Sequence, residues 1–171
     1  RRQLQGAVGL TCQKLGEVEA MLDGGIDTDF LLTYNVLGER KLDRLVALTR
    51  RAPLTVVADN DVVVRGLSAA ASQAGIELPV LVEVEMGFRR TGAPTTAAGV
   101  QLAQLVDSLP GLSLAGIMGF PTGPETRPII QELIGLFDAA GLCRETISGG
   151  SSLYGMEAHE IPELTEYRAG E

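Results

Sequence analysis

Tryptophan is missing from these 171 residues, and aromatic side chains make up only 4% of them. The core therefore has to be built from Leu, Val, Ala and Ile, within a hydrophobic share of 45%. That balance suits parallel α/β architecture, whose strands are covered on both faces and read as aliphatic runs. Basic residues are also in deficit, 14 against 22 acidic ones, for a net charge of −8. No basic face is available, which argues against nucleic-acid or anionic-membrane partners. The longest apolar runs fall far short of a membrane span. His159 is the single histidine, so a self-contained metal site is not expected. Cys12 and Cys143 are the only cysteines and lack metal-type spacing. They read as two free thiols in a reducing compartment. The first residue is Arg rather than Met, so no targeting signal is readable and the expected location is cytoplasmic.

What is present is a rhythm. A short aliphatic run and a stretch with helical spacing alternate about every 25 residues, in one domain spanning the chain. Strands are expected at Ala7–Thr11, Phe30–Tyr34, Leu54–Ala58, Val80–Glu85, Leu114–Phe120, Glu145–Ser148 and Leu164–Arg168. Between them the spacing predicts a helix from Gln13 to Asp23 with Leu15, Val18, Met21 and Leu22 inward. A second runs from Gly38 to Ala52 on Leu42, Leu45, Val46 and Thr49. A third is capped by Asp59 or Asn60 and stopped by Gly75, and a fourth is capped by Thr95 or Thr96. A fifth covers Glu125–Ala140, and a short helical piece covers Tyr154–Glu160.

Parallel strands joined by right-handed crossovers form either an open doubly wound sheet or a (β/α)8 barrel. The turn after the first strand, Thr11-Cys12-Gln13-Lys14-Leu15-Gly16, is no dinucleotide fingerprint. Seven strands, preceded by the tail of a helix at Arg1–Gln5, become eight if one strand lies upstream. The expected fold is thus an α/β (β/α)8 TIM barrel that is incomplete, its first strand missing. The run Ser148-Gly149-Gly150-Ser151-Ser152 combines backbone freedom, hydroxyls and the N–H groups of a following helix. By itself it is either a phosphate cup or an ordinary turn. Placed after the barrel's seventh strand, where such folds often bind phosphate, it reads as the former.

Several segments carry a family resemblance. Gly6–Glu17, Leu31–Asn35, Val56–Asn60, the run Val82-Glu83-Val84-Glu85-Met86-Gly87-Phe88-Arg89-Arg90-Thr91-Gly92 and the Ser148-Gly149-Gly150 turn resemble the barrel of D-threonine aldolases. Those enzymes group with the D-serine dehydratase-like proteins and share the barrel of the alanine racemase N-terminal type. The resemblance implies pyridoxal 5′-phosphate on a lysine that would lie upstream of Arg1. It also implies a C-terminal β domain holding a divalent metal (Mn, Mg or Zn) and a homodimer acting on small D-amino acids. The chain then reads as an internal fragment, inactive by itself and prone to self-association along its open edges.

Lys14 and Lys41, the only lysines, fall on or beside helices and are expected in solvent. Arg90 matches the arginine that approaches the cofactor's phenolic oxygen in the alanine-racemase pattern; the alternative is a surface pair with Glu83 or Glu85. Ser148, Gly149, Gly150 and Ser151 are assigned to the cofactor phosphate, and Gln13 to ring or phosphate. Thr11 is either a ligand contact or a helix cap, and Asp59 has the same ambiguity. Tyr34 and Asn35 end a strand, Phe120 either walls the pocket or packs in the core, and no metal ligand is named. The expected activity is cleavage of D-3-hydroxy amino acids to glycine and an aldehyde. A dehydratase-like lyase, an amino-acid racemase, a non-catalytic pyridoxal-phosphate binder and a barrel for another phosphorylated metabolite remain open.

Overall fold

The computed structural model describes residues 6–170. Seven strands, β1 (Gly9–Cys12), β2 (Asp29–Leu32), β3 (Leu54–Ala58), β4 (Leu78–Val84), β5 (Leu112–Gly119), β6 (Thr146–Gly149) and β7 (Glu166–Tyr167), lie side by side in chain order. Every neighbouring pair is parallel. Five helices make the crossovers: α1 (Leu15–Asp23), α2 (Glu39–Thr49), α3 (Asp61–Ala74), α4 (Thr96–Ser108) and α5 (Arg127–Ala140). Sequential parallel order with a helix after each of the first five strands is the winding of a barrel, not of a doubly wound sheet, whose order reverses at a switch point.

The alternation of side chains along each strand separates two apolar zones. Val56, Ala58, Val80, Val82, Val84, Ile117 and Ile147 point outward, where they meet Val63, Leu67, Val106, Leu133 and Phe137 of the helices in one large core. Leu31, Val57, Leu81 and Met118 form a smaller cluster on the opposite, concave face. That inner cluster plugs the floor of the curled sheet. The functional side chains described below sit on it, toward the C-terminal ends of the strands.

Local signals explain the helix boundaries. Asn60 caps α3 by accepting from the Val63 N–H at 3.0 Å, and Thr95 caps α4 by accepting from the Ala98 N–H at 3.1 Å. Asp59 is therefore not the cap, and neither is Thr96. Gly75 ends α3 with φ 64°. Two inward assignments need correction. Met21 of α1 is 38% exposed, and α2 buries Leu45 and Leu48, with Leu42, Val46 and Thr49 only half-buried. The α2 apolar stripe is rotated because Leu48, rather than Val46, completes the i, i+3 row from Leu45. The expected α5 opens two residues later, at Arg127, after a 3-10 turn at Pro124–Thr126, and the Tyr154–Glu160 piece is a 3-10 segment, Ser152–Glu160.

Candidate active site

Three loops bring the site together at the C-terminal end of the sheet. The first follows β4. Its ends are stitched by Glu85 N–H to the Ala93 carbonyl (3.0 Å) and Ala93 N–H to the Glu83 carbonyl (2.8 Å). Carboxylates hold the rest: Glu85 accepts the Arg89 N–H at 2.6 Å, Glu83 accepts the Thr91 hydroxyl at 2.6 Å, and Asp59 accepts the Gly92 N–H at 3.4 Å. Arg89 takes the strained φ of 52° in this loop. Arg90 next to it is thereby aimed across the mouth, with its guanidinium 4.4 Å from the centre of the Phe120 ring and Nη2 donating to the Tyr34 hydroxyl at 3.1 Å. The carboxylates of Glu83 and Glu85 are engaged elsewhere in the loop, so Arg90 is not their surface partner.

The second loop follows β2. Tyr34 meets Arg90, while Asn35 donates to Asp59 at 2.7 Å, and Asp59 also accepts from Asn60 at 2.6 Å. Asp59 thus ties two strand ends and the Arg90 loop together instead of facing a ligand. Thr11 lies within β1, and α1 has Lys14 at its cap position without a side-chain cap bond, so Thr11 is no helix cap. Gln13 is exposed and its N–H donates to Glu17 at 2.7 Å.

The third element is the turn after β6. Its glycines are dictated by packing. Gly150 has φ 141°, and a Cβ there would fall onto the Arg168 carbonyl oxygen and within 2.6 Å of the Arg168 nitrogen; at Gly149 it would meet Thr122 Oγ1 at 2.6 Å. The Gly150 N–H donates to Thr122 Oγ1, and the Ser151 N–H to the Tyr167 hydroxyl at 3.2 Å. Ser151 Oγ accepts the Leu153 N–H at 3.2 Å, capping the 3-10 segment. Ser148 is buried, donating to Glu166 and accepting from Arg168 Nη1.

A cavity of about 290 Å³ opens between the first two loops and the segment after β7, lined by Thr11, Gln13, Tyr34, Glu83, Arg90 and Arg168 among others; Ser148, Gly149, Gly150 and Ser151 are not among its lining residues. A wider groove of about 900 Å³ adjoins it, sharing Gln13 and Tyr34 and reaching Lys14 and Lys41. Neither lysine lines the inner cavity, and Lys14 has a 77% exposed side chain. His159 is exposed, and among the described residues no three His, Cys, Asp or Glu side chains gather as a metal site would require.

Two charged residues at the mouth were not named from sequence as site residues: Glu83 and Arg168. Glu83 is 4% exposed; burial, the largest cause, lifts its carboxyl above the usual range, with Asp59 adding to the shift and Thr91, Arg168 and Arg90 opposing it. Burial likewise brings the Arg168 guanidinium down to about 10, against the pull of Glu166, Glu83 and Tyr167. The signal for Glu83 was available: a lone carboxylate inside the aliphatic run Val80–Val84 is too costly to bury without a purpose.

The geometry defines a class: a curled, incomplete α/β barrel whose strand ends carry two arginines and a buried carboxylate around one mouth, with a glycine turn packed behind Arg168. The chain belongs to the alanine racemase N-terminal domain family, whose model matches residues 1–170. It is similar to the 3-hydroxy-D-aspartate aldolase of Paracoccus denitrificans, with 42% identity over 93 residues, covering 54% of this chain and 24% of that protein. Among solved structures it resembles the D-threonine aldolase of Filomicrobium marinum, with a TM-score of 0.87 and 29% identity over 99% of this chain and 49% of that one. The D-threo-3-hydroxyaspartate dehydratase of Delftia sp. HT23 shares the fold, at a TM-score of 0.80 and 24% identity, covering 99% of this chain and 48% of the other. The chain thus spans about half the length of these solved relatives. Among the described residues no helix is long and apolar enough to cross a membrane.

Proposed function

We propose that this chain is the cofactor-holding barrel of a pyridoxal 5′-phosphate-dependent lyase, most specifically an aldolase that cleaves D-3-hydroxy amino acids to glycine and an aldehyde. The observation that supports the reading is convergence: Arg90, presented after β4, and Arg168, just past β7, line one cavity, and Arg168 bonds to the Ser148–Gly149 end of β6. The residues present fit such a cofactor. A flat heteroaromatic ring with an anionic tail needs cations, hydroxyl donors and free amides. The mouth supplies Arg90 and Arg168 with the hydroxyls of Thr11 and Tyr34, and the amides of Gly150 and Ser151 lie just behind Arg168, whose backbone N–H donates to the Gly149 carbonyl. Those two amides donate to side-chain oxygens of Thr122 and Tyr167, acceptors that a phosphate oxygen can replace.

When bound, the cofactor supplies an electron sink for the bond broken next to the substrate nitrogen. The chain's own residues bind and orient. Arg90, flattened on Phe120 and bonded to Tyr34, directs positive charge at the ring's oxygen side. Gln13 reaches the rim, where it offers an amide to ring or phosphate. The run Ser148, Gly149, Gly150 and Ser151 is assigned to the phosphate end, with the amides of Gly150 and Ser151 as its donors and Ser148 behind them, bonded to Glu166 and Arg168. The inner cluster of Leu31, Val57, Leu81 and Met118 excludes water from the floor. The reacting lysine is neither Lys14 nor Lys41, and a divalent metal that would polarise the substrate hydroxyl has its ligands outside these residues. The same reading gives a small D-amino acid as substrate and a homodimer of the full-length protein.

Borohydride reduction of the full-length protein with pyridoxal phosphate, followed by peptide mapping, is the test. A labelled lysine other than Lys14 and Lys41 is expected; unlabelled protein would refute the reading. Product analysis then separates the reactions. Glycine plus an aldehyde is the expected outcome, whereas ammonia plus a keto acid would move the assignment to a dehydratase.

A further inference from the structure

Ser148 lies on the concave face of the sheet, in register with Met118 and Glu166, but is not among the residues lining the cavity. Glu166 and Arg168, two residues apart on or beside β7, both point to it across the β6–β7 ladder, where Ser148 is the register partner of Glu166. Ser148 donates to Glu166 Oε1 and accepts from Arg168 Nη1. Arg168 is fixed twice more, by Nη2 donating to the Gly119 carbonyl at 2.7 Å and by its backbone N–H donating to the Gly149 carbonyl at 2.7 Å. Two of the five N–H donors of a guanidinium are spent within the sheet, which leaves three for the cavity. Arg168 lines that cavity; Ser148 and Glu166 do not.

We propose that Ser148 is a positioning residue, acting on a ligand in the mouth through Arg168 and not by touching the phosphate itself. The proposal rests on the pyridoxal-phosphate reading and refines the part Ser148 plays in it. A hydroxyl with one acceptor and one donor already satisfied has little left for an anion. Its placement instead fixes which edge of Arg168 is free. Glu166, Glu83 and Tyr167 are the titratable groups that face this guanidinium, and they keep it charged despite its burial.

The test compares pyridoxal phosphate with pyridoxal, which lacks the phosphate, on the full-length protein. Ser148→Ala should weaken both by the same factor, about tenfold for one hydrogen bond to a charged group. Glu166→Gln should weaken both alike, and adding Ser148→Ala to Arg168→Leu should cost nothing beyond Arg168→Leu alone. Without any ligand, Arg168 should show slowly exchanging guanidinium protons by NMR, lost in Ser148→Ala while the backbone spectrum persists. A loss confined to pyridoxal phosphate would reveal a direct phosphate contact and overturn the proposal. So would guanidinium signals untouched by Ser148→Ala. If Ser148→Ala does not fold, Glu166→Gln carries the same comparison from the other end of the chain of bonds. Wild-type protein that binds neither compound would refute the cofactor reading, and the guanidinium signals would still decide the link between Ser148 and Arg168.

Discussion

Gly150→Ala separates two reasons for a glycine in the turn after β6. If only a ligand needs the space, the substitution is silent in the ligand-free protein. The structure says otherwise. At φ 141° an alanine is strained wherever it points, and its Cβ would land on the backbone of Arg168, which carries β7 onward. A residue forced into a glycine-only region costs about 1–3 kcal/mol, and an extra carbon driven into packed backbone costs about 1–3 kcal/mol more. The expected loss is therefore about 2–6 kcal/mol, a large share of the stability of an ordinary domain, about 5–15 kcal/mol. Gly135→Ala is the control: it lies within α5 with open space around its Cβ position, so alanine should gain about 0.5–1 kcal/mol. Equilibrium urea denaturation of the ligand-free protein measures both. If Gly150→Ala costs under about 1 kcal/mol while Gly135→Ala behaves as expected, β7 does not pack where the structure puts it.

Further outcomes follow from the same site. A carboxyl raised in the folded state, as Glu83 is, stabilises the fold below its unfolded pKa of about 4.3 and loses that contribution as pH climbs through the folded value. Glu83→Gln, whose Oε1 can still accept from Thr91, should therefore gain on wild type between acid and neutral pH; thermal melts that show a flat or shrinking gap would refute this. Arg90→Met removes an exposed cation–π contact and one hydrogen bond, so stability should change by no more than about 1 kcal/mol. In the full-length protein pyridoxal-phosphate affinity should fall at least about tenfold, read by titration of its absorbance; unchanged affinity would remove Arg90 from the site. Finally, among the described residues β1 and β7 are the outer strands of the sheet, and Val8 beside β1 is 84% exposed. Residues 1–171 expressed alone should self-associate in sedimentation velocity, and a sharp, monomeric, cooperative melt would count against that expectation.

How much of this was legible in the sequence depends on how local each signal is. The strand Leu54–Ala58 matches its expectation to the residue, because an aliphatic run bounded by Pro53 and Asp59 leaves no other reading. Tyr34, Glu85 and Phe120 were expected to end strands and instead lie just beyond them. Apolar alternation follows extended backbone, whereas a strand ends where its ladder of hydrogen bonds does. The positions of Arg90 in the loop after β4 and of the Ser148–Ser151 run at the end of β6 were readable because each sits within a contiguous motif. The place of Arg168 at the mouth was not, since Glu166-Tyr167-Arg168 has no apolar period and its bond to Ser148 exists only through the register that sets Ser148 opposite Glu166. Glu83 marks the general case. In a parallel barrel the outward face of every strand is roofed by helices, so a charge within an aliphatic run is tolerable only when it points inward, near the strand's C-terminal end where water or a ligand reaches it. Glu83 obeys that rule one residue before β4 ends, in a line of valines and a leucine. A charge breaking an aliphatic strand is thus a direction as well as an anomaly: it points into the mouth.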